Sequence, residues 1–373
     1  MIILHILFTS SWFPNKKSPQ NGDFVQRHAK AVALNHSVTF IHVECLEGIQ
    51  QKEIVTTKEG NYTEIIAYIP NSKIRPFNFI HKFKQYNLLA KQVAPYDLIH
   101  TNIISFHTLW VYCRYLFHQE QYVITEHWTR YSERDVPISY LECKLFALFA
   151  KAAKYIFPVS SDLKNGMISL GLNSNFAIIP NVVNTELFSL KNKGENKSIQ
   201  FLHVSSLENE HKNIVGMLNV ILRLSQKYPF EFLIIGAEKQ YVRDFITQNQ
   251  LSEKVKLIQN VPNQQIATYM KQADCFVLFS NYENQPCVIS EAFSTGLPVI
   301  ATNVGGIAEF FPNNFGILVE KGNEKQLYAA MEKVINGHTF EAASTIRNYA
   351  QATFSYEQIS KSLSHYYHQI CGK

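Results

Sequence analysis

The chain has 373 residues, of which 46% are hydrophobic and 17% charged, and its formal net charge is +5. This length exceeds what one hydrophobic core usually holds, so we expect a globular protein of two domains. The charge excess is too small and too dispersed for a typical nucleic-acid-binding protein, and no segment reaches the roughly 18 uninterrupted apolar residues of a membrane-spanning helix.

Several motifs that indicate a cofactor are missing from the sequence. The six cysteines form no C-x-x-C pair, and no two aspartates stand two positions apart. A zinc site, a disulfide framework and a D-x-D metal site are therefore not predicted, and we expect no metal and no other cofactor. Neither G-x-G-x-x-G nor a Walker loop is present, which argues against dinucleotide oxidoreductases and P-loop enzymes. The apolar start lacks the basic region and cleavage site of a signal peptide, so we expect a cytoplasmic protein.

The first half of the chain alternates strand and helix patterns. Short apolar or β-branched runs predict strands at residues 2–8, 38–43, 65–69, 97–100, 122–125 and 155–159. Helical stretches lie between them, and this alternation is typical of a doubly wound parallel α/β sheet. The first helix is predicted at 24–34 with Asp23 as its N-cap. Gly22 stands before this helix, where a glycine lets the backbone approach a ligand closely, although an ordinary loop glycine explains it equally well.

His127 follows the strand predicted at 122–125 and stands beside Trp128. Ligands of open α/β sheets gather at the carboxyl ends of strands, so this position favours a functional histidine. A single histidine is nevertheless often structural, and the local pattern leaves both interpretations open.

The second half of the chain repeats the alternation. Strands are predicted at residues 199–204, 231–235, 255–258, 275–279, 299–302 and 316–319. A polar segment at 191–198, which contains Gly194, is predicted to link the two halves. The amphipathic pattern at 356–370 predicts a C-terminal helix.

The stretch 274–309 contains most of the functional signals. After its first strand comes a polar loop, and then a helix predicted to begin at Pro286 and to stop at Gly296, which is about three turns. The free backbone N–H groups at the start of this helix predict an anion site. Glu283 lies in the loop and Glu291 on the helix, and because helical side chains lean toward the N-terminus, both carboxylates can face one ligand. Taken singly, either glutamate is more simply explained as a solvated or helix-favouring residue.

The complete pattern S-x-x-E-x7-E-A-x-x-x-G-x-P-V-I-A-x-x-x-G-G-x-x-E in this stretch resembles the donor-site signature of the retaining glycosyltransferases of family 4. Segments 21–34 and 181–188 are similar to two further motifs of the family. The resemblance implies the GT-B fold, an α/β architecture with two Rossmann-like doubly wound domains that face each other across a cleft. It implies an acceptor-binding domain at 1–190, a nucleotide-sugar-binding domain at 198–354, and a helix at 355–373 that crosses back to the first domain.

The same resemblance implies roles for individual residues. Glu291 would bind the ribose hydroxyls, Glu283 would contact the transferred sugar, and His127 would lie beside that sugar as a second catalytic residue. Lys212 would contact the donor diphosphate, although Ser206 stands where the family usually has an accompanying arginine. The other implied donor-binding residues are Gly22 and the loop residues Asn284, Gln285, Pro286 and Cys287, the loop acting through its backbone N–H groups.

The implied function is metal-independent, retaining transfer of a hexose from a nucleotide-sugar donor to a saccharide or lipid-linked acceptor, in bacterial surface polysaccharide or glycolipid synthesis. No nucleic-acid partner is expected. One alternative is a GT-B nucleotide-sugar epimerase, which would use the same donor site without an acceptor. Another is a two-lobed sugar-binding protein without catalysis, but such proteins are commonly exported, and the sequence shows no signal peptide.

Residues 73–91 interleave basic and apolar side chains. The basic residues are Lys73, Arg75, Lys82, Lys84 and Lys91, and the apolar ones are Phe77, Phe79, Ile80 and Phe83. Residues 1–190 contain 18 Lys and Arg against 14 Asp and Glu, so nearly all the charge excess lies in this half. The pattern predicts peripheral contact with an anionic membrane, on the inner face of the cell membrane. The alternative is an ordinary amphipathic helix whose aromatic residues face the core.

Overall fold

The computed structural model describes residues 2–19, 21–132, 137–190, 198–259 and 261–372. The chain forms two compact units, one comprising Met1–Val182 and Tyr356–Lys373 and the other comprising Val183–Ser355. Each unit is built on its own sheet. Residues 191–197 of the predicted linker lie outside the described residues. None of the helices within the described ranges is both long and apolar enough to cross a membrane.

The strands of the first unit are β1 (His5–Ser10), β2 (Ser37–Leu46), β3 (Glu53–Glu59), β4 (Tyr62–Pro70), β5 (Leu98–Asn102), β6 (Tyr122–Glu126) and β7 (Ile156–Pro158). They form one sheet in the order β3-β4-β2-β1-β5-β6-β7, in which β3 is antiparallel to β4 and the other pairs are parallel. The parallel α/β sheet predicted from the sequence is confirmed, and the antiparallel edge strand β3 is an addition that the sequence did not predict. β3 escaped prediction because all of its residues are exposed, so the segment has no buried apolar run.

The helices α1 (Asp23–Val32), α2 (Arg75–Val93), α3 (Thr108–His118), α4 (Tyr140–Ala152) and α5 (Ser161–Ser169) cover both faces of this sheet. Successive side chains of a strand point to opposite faces. Accordingly, Leu7 of β1 packs in a core with residues of α2 to α5, whereas Ile6 and Phe8 pack in a second core with residues of α1. This two-sided cover is what the alternation of strand and helix patterns predicted.

The second unit contains β8 (Gln200–Ser205), β9 (Glu231–Gly236), β10 (Val255–Gln259), β11 (Cys275–Leu278), β12 (Val299–Thr302) and β13 (Gly316–Val319). Its helices are α6 (Asn209–Lys212), α7 (Ile214–Ser225), α8 (Gln240–Gln248), α9 (Asn263–Gln272), α10 (Cys287–Ser294), α11 (Glu324–Ile335) and α12 (Ala343–Phe354). The strands are parallel in the order β10-β9-β8-β11-β12-β13. This is the strand order of a dinucleotide-binding sheet.

The boundary between the units differs from the predicted position at residue 190. Val183 and Phe188 are buried in the core of the second unit, and the Val183 N–H donates to the Phe354 carbonyl oxygen at 2.9 Å. The change of unit therefore comes after Val182.

The C-terminal helix, α13 (Tyr356–Cys371), packs within the first unit. Its residues Ile359, Leu363 and Tyr367 are buried in the same core as α1. A buried hydrogen bond of 2.5 Å also joins the Tyr367 hydroxyl to His100 Nδ1 on β5. Apolar burial and a buried polar contact thus tie the last helix to a strand that lies 267 positions earlier in the chain.

Candidate active site

The order of the second sheet reverses between β8 and β11, and ligands of open α/β sheets bind beyond the carboxyl ends of the strands at such a point. The chain that follows β8 and the loop that follows β11 meet there. Asn281 joins them, because its backbone N–H donates to the His211 carbonyl oxygen and its Nδ2 donates to the Glu210 carbonyl oxygen, each at 2.8 Å. Residues 71 positions apart in the sequence are thereby held side by side.

Glu283 is a buried carboxylate surrounded by donors. It is only 5% exposed, and its Oε1 accepts hydrogen bonds from Lys212 Nζ at 2.5 Å and from Ser280 Oγ at 2.7 Å. Burial by itself would raise the pKa of Glu283, but Lys212 and His211 outweigh it and lower the pKa from 4.5 to about 2. Glu283 is therefore ionised at neutral pH and can accept hydrogen bonds but not donate a proton.

His211 belongs to this cluster, although it was not among the predicted site residues. Its ring stacks on Tyr282, with the centroids 4.2 Å apart and the planes at 4°. Its Nε2 lies 3.7 Å from Glu283 Oε1, which is too long for a hydrogen bond. The sequence signal for His211 was its position next to Lys212, and the stack on Tyr282 could not be read from any local pattern.

The glycine pair at the end of the signature packs against this loop. A Cβ added to Gly305 would lie 1.7 Å from the Glu283 carbonyl oxygen, and Gly305 has a φ of 54°. The N–H of Gly306 donates to the Asn284 carbonyl oxygen at 2.9 Å. Close approach and a left-handed backbone both require glycine here, so Gly305 lets this segment pack directly against the backbone of Glu283.

The helix after the loop is shorter than predicted and begins one residue later. Pro286 is the N-cap of α10, with a ψ of 120°, and Cys287 is the first helical residue. The helix has eight residues, which is about two turns rather than three. It ends at Ser294, before Gly296 turns the chain with a φ of 73°. The positive end of the helix dipole and the N–H groups of its first turn point toward the loop.

Three further predicted residues of the loop and helix are buried. Glu291 is 4% exposed on α10, and Asn284 and Gln285 are each 5% exposed in the loop. Gln285 Nε2 donates to Ser290 Oγ at 2.7 Å, which ties the loop to the helix. Buried polar side chains need hydrogen-bond partners, so these residues constrain one another's positions.

Seven of the nine predicted site residues therefore lie together in the second unit. They are Lys212, Glu283, Asn284, Gln285, Pro286, Cys287 and Glu291. Ser206, at the position of the family's arginine, is exposed directly after β8. In the ranges that the structure describes, no group of three or more His, Cys, Asp or Glu side chains could hold a metal ion.

The remaining two predicted residues, Gly22 and His127, lie in the first unit. Gly22 rather than Asp23 is the N-cap of α1, because its φ of 72° turns the chain into the helix, while Asp23 pairs with Arg27 at 2.6 Å. A Cβ on Gly22 would lie 2.6 Å from the Trp12 carbonyl oxygen, so the position accepts only glycine without movement. Phe24 of α1 packs on the ring of His127, with the centroids 4.6 Å apart.

His127 is a buried, neutral histidine. Its Nδ1 donates to Asn181 Oδ1 at 2.9 Å, and burial, reinforced by the neighbouring His28, holds its pKa well below 6.5. Glu126, also not predicted, shapes this loop: its carboxylate accepts the backbone N–H groups of Ile104, His127 and Trp128 at 2.7 to 2.9 Å. Complete burial nevertheless raises the pKa of Glu126 to about 7 against the lowering effect of those N–H groups.

Two family models match adjoining parts of the chain. "Glycosyltransferase Family 4" matches residues 24–187, and "Glycosyl transferases group 1" matches residues 185–353. Among curated proteins, a subunit of the phosphatidylinositol N-acetylglucosaminyltransferase of Homo sapiens is 30% identical over 267 residues, which cover 68% of this chain and 54% of the human protein. The chain thus spans about half the length of this curated relative.

Solved structures show the same fold. Sucrose-phosphate synthase from Thermosynechococcus elongatus has a TM-score of 0.79 at 18% identity, with 99% of each chain covered. Anabaena HepE, solved in complex with UDP, has a TM-score of 0.74 at 16% identity, with 98% of this chain and 99% of HepE covered. The two family models and these likenesses of fold agree with the signature at residues 274–309, and the chain belongs to family 4 of the glycosyltransferases, with their GT-B fold.

Proposed function

We propose that the protein is a retaining glycosyltransferase that moves a hexose from a nucleotide-diphosphate sugar to a saccharide or lipid-linked acceptor. The observation that carries this proposal is the pairing of Lys212 with the ionised Glu283 in the loop that leads into α10. The Lys212 ammonium group has three N–H donors, of which Glu283 takes one, and the first turn of α10 adds backbone N–H groups, so both can stabilise a diphosphate leaving group as it gains negative charge. Family membership and the UDP complex of the structurally similar HepE support a nucleotide-sugar donor.

In this proposal the second unit binds the donor. Glu291 accepts hydrogen bonds from the ribose hydroxyls, each worth at most roughly 1.5 to 3 kcal/mol. Backbone N–H groups of residues 284–287, apart from Pro286, hold the sugar or the phosphates. Lys212 contacts the diphosphate, and its charge together with the α10 dipole supplies the stabilisation for which other enzymes use a metal ion.

Glu283 and His127 are the catalytic residues of the proposed reaction. Glu283 accepts from sugar hydroxyls, a role that fits its ionised state and its engagement with Lys212 and Ser280. Neutral His127 contributes an imidazole, and Gly22, at the start of α1, is a proposed donor-binding residue. The acceptor oxygen bonds to the anomeric carbon as the bond to the diphosphate breaks. The departing diphosphate oxygen takes the acceptor's hydroxyl proton, and the anomeric configuration is retained.

Donor binding can be tested with a thermal-shift screen of nucleotides and nucleotide-sugars. A ligand at 100 times its dissociation constant stabilises the folded protein by about 2.7 kcal/mol, which such a screen detects. The nucleotide that binds is then compared with its 2′-deoxy form. Wild type should prefer the ribonucleotide, and Glu291→Ala should lose both affinity and this preference.

Glu320→Ala is the matched control, since Glu320 is an exposed glutamate of the same unit. It should bind both nucleotides as wild type does. A Glu291→Ala protein that keeps wild-type affinity would contradict the assignment of Glu291, and a wild type that binds no nucleotide in the screen would contradict the proposed function.

We also propose that α2 contacts an anionic membrane on its cytoplasmic face, which would bring the enzyme to a lipid-linked acceptor in glycolipid or surface polysaccharide synthesis. Phe77, Phe79 and Ile80 are 47%, 39% and 44% exposed, so these apolar side chains face solvent, whereas Phe83 packs against the core. The segment from residue 71 to 96 contains no acidic residue. The human relative, which carries phosphatidylinositol in its name, supports a lipid acceptor.

Sedimentation with vesicles tests the membrane contact. Lys82 pairs with Glu44 at 3.2 Å, so the more exposed Lys84 and Lys91 are the better residues to change. Wild type should sediment with vesicles of phosphatidylglycerol more than with phosphatidylcholine, and less as salt rises. Lys84→Glu with Lys91→Glu should reduce sedimentation, whereas Lys227→Glu, at an exposed lysine of the second unit, should not. Equal sedimentation with both lipids would exclude an electrostatic contact.

A further inference from the structure

A cavity of about 270 Å³ lies within the first unit, and none of its lining residues is among the proposed donor-binding residues. It is lined by residues of α2 and of the segment that runs from the end of β5 into α3. Its apolar walls are Phe79, Phe83, Tyr86, Phe106 and Trp110. Apolar space of this kind is poorly hydrated and takes up apolar ligands.

The cavity opens to solvent at an apolar rim. Phe79 is 39% exposed and Phe106 is 52% exposed, although both line the cavity. Next to Phe79 on α2, Ile80 is 44% exposed. The mouth of the cavity is therefore continuous with the exposed apolar and basic face of α2.

Most polar groups that line the cavity already have partners. Tyr86 Oη accepts from the Val43 N–H at 3.1 Å, Trp110 Nε1 donates to Asn87 Oδ1 at 2.9 Å, and His107 Nε2 is hydrogen-bonded to Thr9 Oγ1 at 2.8 Å. Lys82 is paired with Glu44. A sugar ring, whose several hydroxyls each need a partner, would find few in these walls.

Two lining residues are exceptions, one directly after β1 and the other on β2. Ser11 Oγ and His42 Nε2 are buried and have no hydrogen-bond partner within the described part of the chain. Glu44 Oε2 lies 3.7 Å from His42 Nε2, which is too far for a hydrogen bond. His42 Nδ1 donates to the Ser10 carbonyl oxygen at 3.1 Å, so Nε2 is the ring nitrogen that a ligand in the cavity could reach. Buried polar atoms without partners are rare in native proteins and point to a missing ligand or water.

We propose that this cavity receives the apolar chain of a lipid-linked acceptor, with a polar oxygen of the acceptor bound by Ser11 and His42. The aromatic walls match an alkyl or isoprenoid chain, the exposed rim lets the chain enter from a lipid surface, and the two unpartnered atoms match a hydroxyl at its polar end. This inference rests on the proposed function in that it assigns the ligand as the sugar acceptor.

The probe is n-octyl β-D-glucoside below its critical micelle concentration, titrated into the full-length protein and followed by calorimetry and tryptophan fluorescence. Methyl β-D-glucoside has the same sugar without the chain and should bind at least about tenfold more weakly. Phe79→Asp places a charge at the rim and should weaken octyl glucoside binding by about tenfold or more. Phe77→Asp is the matched control on the same helix, because Phe77 is exposed but does not line the cavity, and its binding should stay unchanged.

Two further variants keep the test valid even if Phe79→Asp fails to fold. Phe106→Asp, in the segment between β5 and α3, should act as Phe79→Asp does, while Ser11→Ala should weaken the octyl probe by a few fold. The inference would be overturned if Phe77→Asp lost as much octyl glucoside affinity as Phe79→Asp, or if methyl glucoside bound as tightly as octyl glucoside. Nucleotide binding by Phe79→Asp should equal that of wild type. A wild type that binds nucleotide but not octyl glucoside refutes the cavity alone and leaves the proposed function intact.

Discussion

Removal of the Lys212 charge tests how the second unit holds Glu283. In Lys212→Gln the carboxylate of Glu283 keeps its burial and Ser280 but loses the ammonium group at 2.5 Å. Breaking a buried ion pair by removing one partner typically costs about 3 to 5 kcal/mol, because the other charge is left uncompensated. We therefore expect the free energy of unfolding of the second unit to fall by about 3 kcal/mol at pH 7.

The pKa of Glu283 leads to a similar magnitude and sets the pH range. A shift from 4.5 in the unfolded chain to about 2 in the fold corresponds to roughly 3.4 kcal/mol at 1.36 kcal/mol per unit. The folded pKa is the lower one, so the stabilisation is fully present above pH 4.5 and is lost as pH falls through 2. Glu283→Gln should therefore show a smaller loss of stability than wild type between pH 4.5 and pH 2.

Hydrogen exchange measured by mass spectrometry suits this test, because all three tryptophans, at positions 12, 110 and 128, lie in the first unit and do not report on the second. Peptides from β11 and α10 report the opening free energy directly. Lys239→Gln is the control, since Lys239 pairs with the exposed Glu208 and such surface pairs contribute about 0 to 1 kcal/mol. The reasoning is refuted if Lys212→Gln costs no more than Lys239→Gln, or if Glu283→Gln follows the wild-type acid dependence.

Three other predictions concern the same unit. Gly305→Ala should destabilise it by more than about 2 kcal/mol, because the new Cβ meets the Glu283 carbonyl oxygen. Gly322 has a φ of 69° but open space around it, so Gly322→Ala should cost only about 1 kcal/mol in the same exchange measurement. Glu291→Ala should lose nucleotide binding while its far-UV circular dichroism and the hydrogen exchange of β11 stay unchanged. If the variant is misfolded, its loss of nucleotide binding does not support a ribose contact of Glu291. Sugar transfer should continue in EDTA, and loss of activity that manganese restores would contradict the metal-independent mechanism.

Local patterns in the sequence determined most of the secondary structure and the identity of the donor-site loop. An apolar run predicts β11, Pro286 predicts the start of α10, and Gly296 predicts its end. Each prediction lies within a few residues of the element in the structure. These signals are short-ranged, because backbone stereochemistry and burial of a strand act on neighbouring residues. The exposed β3 lacks such a signal, and its strand conformation comes from pairing with β4.

Only the tertiary structure decided which side chains meet. His211 contacts Tyr282 and Lys212 contacts Glu283, although the two segments are about 70 positions apart in the chain. Gly305, from a third segment, packs against the same loop. Local propensity carries no information about such contacts, because strand order in the sheet sets them. The pKa of Glu283 follows from that order, since burial and the Lys212 charge act on it through space, and a sequence pattern alone could place the carboxylate but not predict its ionisation.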